Sequence, residues 1–196
     1  MPDFTSQIRS QLRESSRVKE SFSAELVSRI SRFAEIAAAA IQKGNKIVFF
    51  GNGGSAADAQ HLAAELVVRL QRNRSSLAAL ALTTNASVLT AAANDFGFES
   101  VFARQIESLV SAGDVLVAIS TSGKSPNILR GAEAGRARRA FVVGMTGETG
   151  DELASRVDLL INVPSQDAQR VQESHITIGH IVCSLIEQIC CASSGD

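Results

Sequence analysis

The 196-residue chain lacks a charge excess of either sign: 19 basic and 20 acidic residues leave a formal net charge of -1. With a pI near 6.3 it has no electrostatic footprint for nucleic acid or an anionic membrane, whereas small neutral or anionic ligands stay open. The segment MPDFTSQIRSQLRESSRVKES has no apolar core of the signal-peptide kind. No later apolar run approaches the roughly 18 residues of a membrane span, so the expected location is the cytoplasm. Cysteine is scarce: three, at Cys183, Cys190 and Cys191, an odd number without C-x-x-C spacing. That excludes a disulfide framework or a four-thiolate zinc site and leaves Cys183 as a small buried hydrophobe on a terminal helix. There is no internal repeat, low-complexity tract or linker. The 45% hydrophobic content can fill the core of one domain.

Residues 3 to 43 place Ile8, Leu12, Phe22, Leu26, Ile30 and Phe33 at spacings of three and four, predicting amphipathic helices before a main domain that starts near residue 44 and continues to 196. Short apolar runs then predict five strands: KIVFFG from Lys46, Leu77 to Leu82, VLVAIS from Val115, AFVVGM from Ala140 and DLLINVP from Asp158. Helical stretches separate them, the pattern of an α/β parallel sheet covered on both faces, with ligand sites at the carboxyl ends of the strands. Residues 167 to 191 predict one long terminal helix.

Two loops are suited to phosphate. Gly51-Asn52-Gly53-Gly54 follows a strand, and its glycines let backbone approach a ligand, while Ser55 with Asp58 is expected to cap the following helix. The loop is neither a dinucleotide fingerprint nor a P-loop, since Ala56 replaces the third glycine and no Gly-Lys-Ser/Thr follows; a plain tight turn is the alternative. STSGKSPN, residues 120 to 127, supplies four hydroxyls and ends in Ser125-Pro126 as helix cap and first helical residue, more hydroxyl than capping needs.

His61 and Glu65, four apart, stack on one helical face, where they form either an ordinary surface pair or two ligands of one ion or substrate. On the terminal helix Gln172, Glu173, His175 and His180 are candidates. Gln172 and His180 are separated by about 12 Å of rise, so they share a cavity only if it spans two turns. Spacing alone does not choose between His175 and His180.

GNGGSAADAQHLAAE, LTAAANDFGFE, ISTSGKSPN and RVQESHITIGHIV stand in the same order as in the phosphoheptose isomerases of the sugar isomerase (SIS) superfamily, which the chain resembles over roughly residues 44 to 190. The resemblance implies a doubly wound fold with a five-stranded parallel sheet, a homotetramer with active sites near subunit contacts, and one zinc ion per subunit. It implies conversion of sedoheptulose 7-phosphate to D-glycero-D-manno-heptose 7-phosphate, toward nucleotide-activated heptose for lipopolysaccharide or other glycans. It places metal ligands at His61, Glu65, Gln172 and His180, which decides against His175. Substrate contacts fall on Asn52, Gly53, Gly54, Glu65, Asn94, Asp95, Ser120, Thr121, Ser122, Ser125 and Gln172. The acid/base pair is Glu65 and His180; Lys124 and Gln169 are not carried over. The competing readings are a non-catalytic SIS-domain protein, either associated with a replication initiator or sensing sugar phosphates, and an isomerase of another sugar phosphate. A binder would not need both Glu65 and His180.

Overall fold

A computed structural model describes residues 3 to 192. Helix α1 (Phe4–Glu20) starts where Asp3 accepts the Ser6 amide at 3.1 Å, and α2 (Ala24–Gln42) where Ser23 accepts that of Leu26 at 3.1 Å, so each cap takes up one orphan donor. Ala37 and Ala38 are fully buried, and their small side chains let α2 lie close to its neighbours. In α1 the apolar spacing does not bring burial: Phe4, Ile8 and Leu12 form a stripe more than half exposed, while the helix packs against α7 and buries Val18.

The expected sheet is present. Strands β1 (Ile47–Gly51), β2 (Ala79–Ala81), β3 (Val115–Ile119), β4 (Phe141–Thr146) and β5 (Leu159–Asn162) run parallel in the order β2-β1-β3-β4-β5. Side chains alternate across it. Val48, Phe50, Leu116, Ala118 and Val142 share one cluster with residues of α5 (Val101–Leu109) and α6 (Pro126–Ala137). Ile47, Phe49, Val115, Val117 and Ile119 share the other with α2, α3 (Gly54–Val67) and α7 (Ala168–Ala192). Burial on both faces explains why these strands read as unbroken apolar runs. Edge strand β2 is shorter than its apolar run, because the Leu77 amide is bonded to the Leu66 carbonyl at 3.1 Å instead of to a neighbouring strand. Helix α4 (Ala86–Phe96) follows β2.

Two features of this order position a site. From β1 the chain goes outward to β2 and then returns across β1 to β3, so the loops after β1 and β3 flank a topological switch point. Helix α7 packs against α1, α2 and α3. At 25 residues, α7 is by length and composition apolar enough to cross a membrane, contrary to the expectation from sequence. Yet it buries Ile178, Val182 and Ile186 in the core together with the charged Arg170 and Glu187. Cys183 is buried here as expected, and burial pushes its thiol up to about 12.

Candidate active site

The first loop departs from its sequence reading in one respect. Helix α3 starts at Gly54, with Gly53 as its cap at φ 55° and ψ -121° and no side-chain cap bond. Ser55 therefore lies inside the first turn and is buried, and neither it nor Asp58 caps the helix. The amides of Ala56 and Ala57 are bonded to the Gly53 carbonyl at 3.1 and 3.3 Å, so the glycine cap leaves those of Gly54 and Ser55 to a ligand, with the helix dipole behind them. A Cβ on Gly51 would come within 2.7 Å of Ser55, so the strand-to-helix turn is tight enough to demand glycine.

In the second loop Ser125 is the cap and Pro126 the first helical residue, as expected, but the Ser125 hydroxyl makes no capping bond. Ser120 Oγ accepts the Gly123 amide at 3.1 Å and Ser122 Oγ that of Lys124 at 3.3 Å, so both hydroxyls keep their protons for another acceptor. The two loops are tied by a reciprocal amide pair: Asn52 Nδ2 donates to Asn127 at 2.9 Å and Asn127 Nδ2 donates back at 2.8 Å. Asn127, almost fully buried, thus sets the orientation of Asn52.

Helices α3 and α7 run side by side in the same direction. A Cβ on Gly54 would lie 1.6 Å from Gln172 Nε2, and one on Gly179 would lie 2.5 Å from the Leu62 side chain. At and just beyond the second contact the polar faces of the helices meet. His61 Nε2 is 2.8 Å from His180 Nε2 and 3.3 Å from Glu65 Oε1, and ligand atoms of all three residues lie within 4.8 Å of one another. Two imidazoles and a carboxylate at that separation are a donor set suited to zinc, which takes nitrogen and oxygen ligands in tetrahedral sites. Gln172 does not join them in this arrangement: it lies on Gly54, about 10 Å along α3 from His61 by helical rise.

Asp58, one turn before His61, is half-buried with Oδ2 lacking a partner, and burial raises its carboxyl to about 6 against a smaller pull from His61. His175 is different from His180. It is 1% exposed, its Nε2 is 3.1 Å from the Thr146 carbonyl, and burial lowers it to about 4, so it is a neutral brace between α7 and β4. Asn94 and Asp95 are exposed at the end of α4, bonded to each other at 2.7 Å, and no hydrogen bond links them to either loop. Sequence reasoning overlooked Asn127. The only available signal was an amide directly after Ser125-Pro126, with nothing to indicate its partner 75 residues away.

The SIS domain family profile matches residues 12–147, and the chain belongs to the SIS domain family. Within that class it belongs to the phosphoheptose isomerases, and it is an isomerase. It is 49% identical over 181 residues to the phosphoheptose isomerase of Geobacter sulfurreducens, covering 92% of this chain and 96% of the relative. To that of Thermodesulfovibrio yellowstonii it is 47% identical over 182 residues, with 93% and 90% covered. The solved structure of the phosphoheptose isomerase from Neisseria gonorrhoeae superimposes with a TM-score of 0.89 at 40% identity, covering 94% of this chain and 99% of that one.

Proposed function

We propose that this chain converts sedoheptulose 7-phosphate to D-glycero-D-manno-heptose 7-phosphate, the first step toward nucleotide-activated heptose for lipopolysaccharide or other glycans. The observation that carries the reading is the convergence of His61, Glu65 and His180 where α3 and α7 meet, on the same helix whose open start lies about 10 Å from His61 by helical rise. The phosphate binds the backbone at Gly53 and Gly54 and the hydroxyls of Ser120, Thr121, Ser122 and Ser125. The sugar chain then extends along α3 past Gln172 toward the histidines, with Asn52, Asn94 and Asp95 assigned to its hydroxyls.

A ketose becomes an aldose when a proton moves from C1 to C2 and a hydroxyl proton moves from O1 to O2. Glu65 and His180 carry these transfers as the acid/base pair. A zinc ion held by His61, Glu65 and His180, one per subunit, would supply Lewis-acid stabilisation of the negative charge that builds on the carbonyl oxygen. Gln172, seated against Gly54, serves the substrate. A carboxylate has two oxygens, so Glu65 can hold a cation through one and move a proton with the other. The reading includes a cytoplasmic homotetramer, a single structural domain with its helical segment at 1–43 and its SIS domain at 44–196, and no nucleic-acid or membrane partner.

The test is incubation with sedoheptulose 7-phosphate, with and without a chelator, followed by product analysis. Formation of the aldose that is lost with chelator and restored by zinc is the expected result. Turnover untouched by exhaustive chelation removes the metal, and no turnover at any metal concentration removes the substrate assignment.

A further inference from the structure

Beyond the end of α3 the chain runs from residue 68 to 78 without regular helix or strand, and it carries Arg69, Arg72 and Arg74 before β2 begins. A polar segment of this kind would normally be held loosely. Here it is wrapped around a buried carboxylate. Glu187 of α7, with its side chain 1% exposed, accepts the amides of Leu70 at 2.9 Å, Gln71 at 3.0 Å and Arg72 at 3.2 Å, and Nε of Arg74 at 2.9 Å. Burial alone would raise this carboxyl, but the three amides and the guanidinium outweigh it and hold Glu187 below the usual carboxylate range.

Arg74 extends the connection to α3. Its side chain is 5% exposed, and Nη2 donates to the carbonyl of Glu65 itself at 2.9 Å while Nη1 donates to that of Ser75 at 3.0 Å. The Glu65 carbonyl is among the last four of α3, which have no partner within a helix, so Arg74 acts as a side-chain cap there. One guanidinium thus joins the helix that carries His61 and Glu65 to the helix that carries His180. Glu187 lies seven residues after His180, two turns on along the same face of α7. Leu70 and Gln71, held by the same carboxylate, wall a cavity of about 420 Å³ beside His180. At the level of the histidines, Gly179 against Leu62 sets how closely the helices approach.

We propose that Arg74 and Glu187 are positioning residues for the isomerase site: together they fix the spacing and rotation of α3 against α7 at which His61, Glu65 and His180 meet. This rests on the metal reading above. Neither residue touches the substrate, and the phosphate end lies beyond the far side of the trio, so the two ends should respond separately when the clamp is altered.

The test compares wild type with Glu187→Gln, Arg74→Lys and His61→Ala, each first shown by circular dichroism to be folded at the assay temperature. Zinc affinity is measured on the apo proteins by competition with a chromophoric chelator, and kcat and KM on the zinc-loaded ones. Glu187→Gln keeps the shape but loses the charge and one acceptor; Arg74→Lys keeps the charge but cannot bridge Glu187 and the Glu65 carbonyl together. The expected result is a 10- to 100-fold loss of zinc affinity in both, the range for partners that orient ligands from behind. A matching fall in kcat and a KM within about twofold of wild type should accompany it. Wild-type zinc affinity and kcat in both folded variants would overturn the clamp, whatever happens to melting temperature. If His61→Ala binds zinc as well as wild type, the metal reading itself falls, and that result is independent of the two clamp variants.

Discussion

On the proposed reading, the two ends of α3, one for phosphate and one for metal, solve opposite problems. At the phosphate end, polar capacity is left unspent: α3 has a glycine for a cap, Ser125 caps without a side-chain bond, and Ser120 and Ser122 accept from their own loop while keeping their protons. At the metal end, side chains are gathered until two imidazole nitrogens stand 2.8 Å apart, and the helix terminus is closed by Arg74 and Glu187. An anion that arrives and leaves with each turnover is best met by fixed backbone and hydroxyl donors. A cation held permanently requires several side chains to converge, and convergence needs bracing. One helix can serve both because its ends differ in what they leave unsatisfied.

The largest effect belongs at the metal end. Glu65→Gln should lower kcat by about 10²- to 10⁴-fold, the contribution of a positioned acid or base, with KM little changed. His180→Ala should lose turnover and most zinc affinity together. A Glu65→Gln enzyme with near-normal kcat and a raised KM would make this end another substrate anchor, and the contrast between the two ends would break.

His175, between the two ends, sharpens the comparison because it has the same chemistry in the opposite environment. Its folded-state value lies near 4, below the ordinary value of 6.5. As pH falls from about 6.5 toward 4, the unfolded chain takes up the proton first, so stability is lost across that window and is fully present above it. The loss should be on the order of 3 kcal/mol. His175→Gln should flatten this slope in urea melts at stepped pH and still bind zinc. An unchanged slope would assign the acid sensitivity to other groups, and lost zinc binding would give His175 a place in the site.

The smallest effect is expected at the phosphate end. Ser120→Ala and Ser125→Ala should each raise KM by the equivalent of about 1.5–3 kcal/mol, the range for a hydrogen bond to a charged group, with kcat nearly constant. Inorganic phosphate should compete less well against both variants than against wild type; equal competition against all three would move the phosphate out of this loop.

The strands were legible in the sequence because burial on both faces makes them continuous apolar runs, and the long terminal helix because its apolar periodicity persists. Burial could not be deduced for α1: Phe4, Ile8 and Leu12 have the right spacing, yet none of the described residues covers them. The cap of α3 differs from the expected Ser55 because side-chain capping is visible as Ser or Asp, whereas a backbone cap on glycine leaves no such mark. Periodicity could not separate His175 from His180, since α7 packs on several helices and also meets β4. The Arg74–Glu187 clamp joins residues 113 apart and carries no local signal at all.

The paired amides of Asn52 and Asn127 also bear on how the protein ages. Asn52 precedes Gly53, the combination in which backbone nitrogen most readily attacks a side-chain amide, expelling ammonia through a cyclic imide that opens to a carboxylate. That change would remove one of the two hydrogen bonds between the loops, since an aspartate has no N–H to give back. It would also set a permanent negative charge beside the place prepared for an anion. Two hydrogen bonds to Asn127 restrain the amide, so the pair that orients the loop also opposes this change.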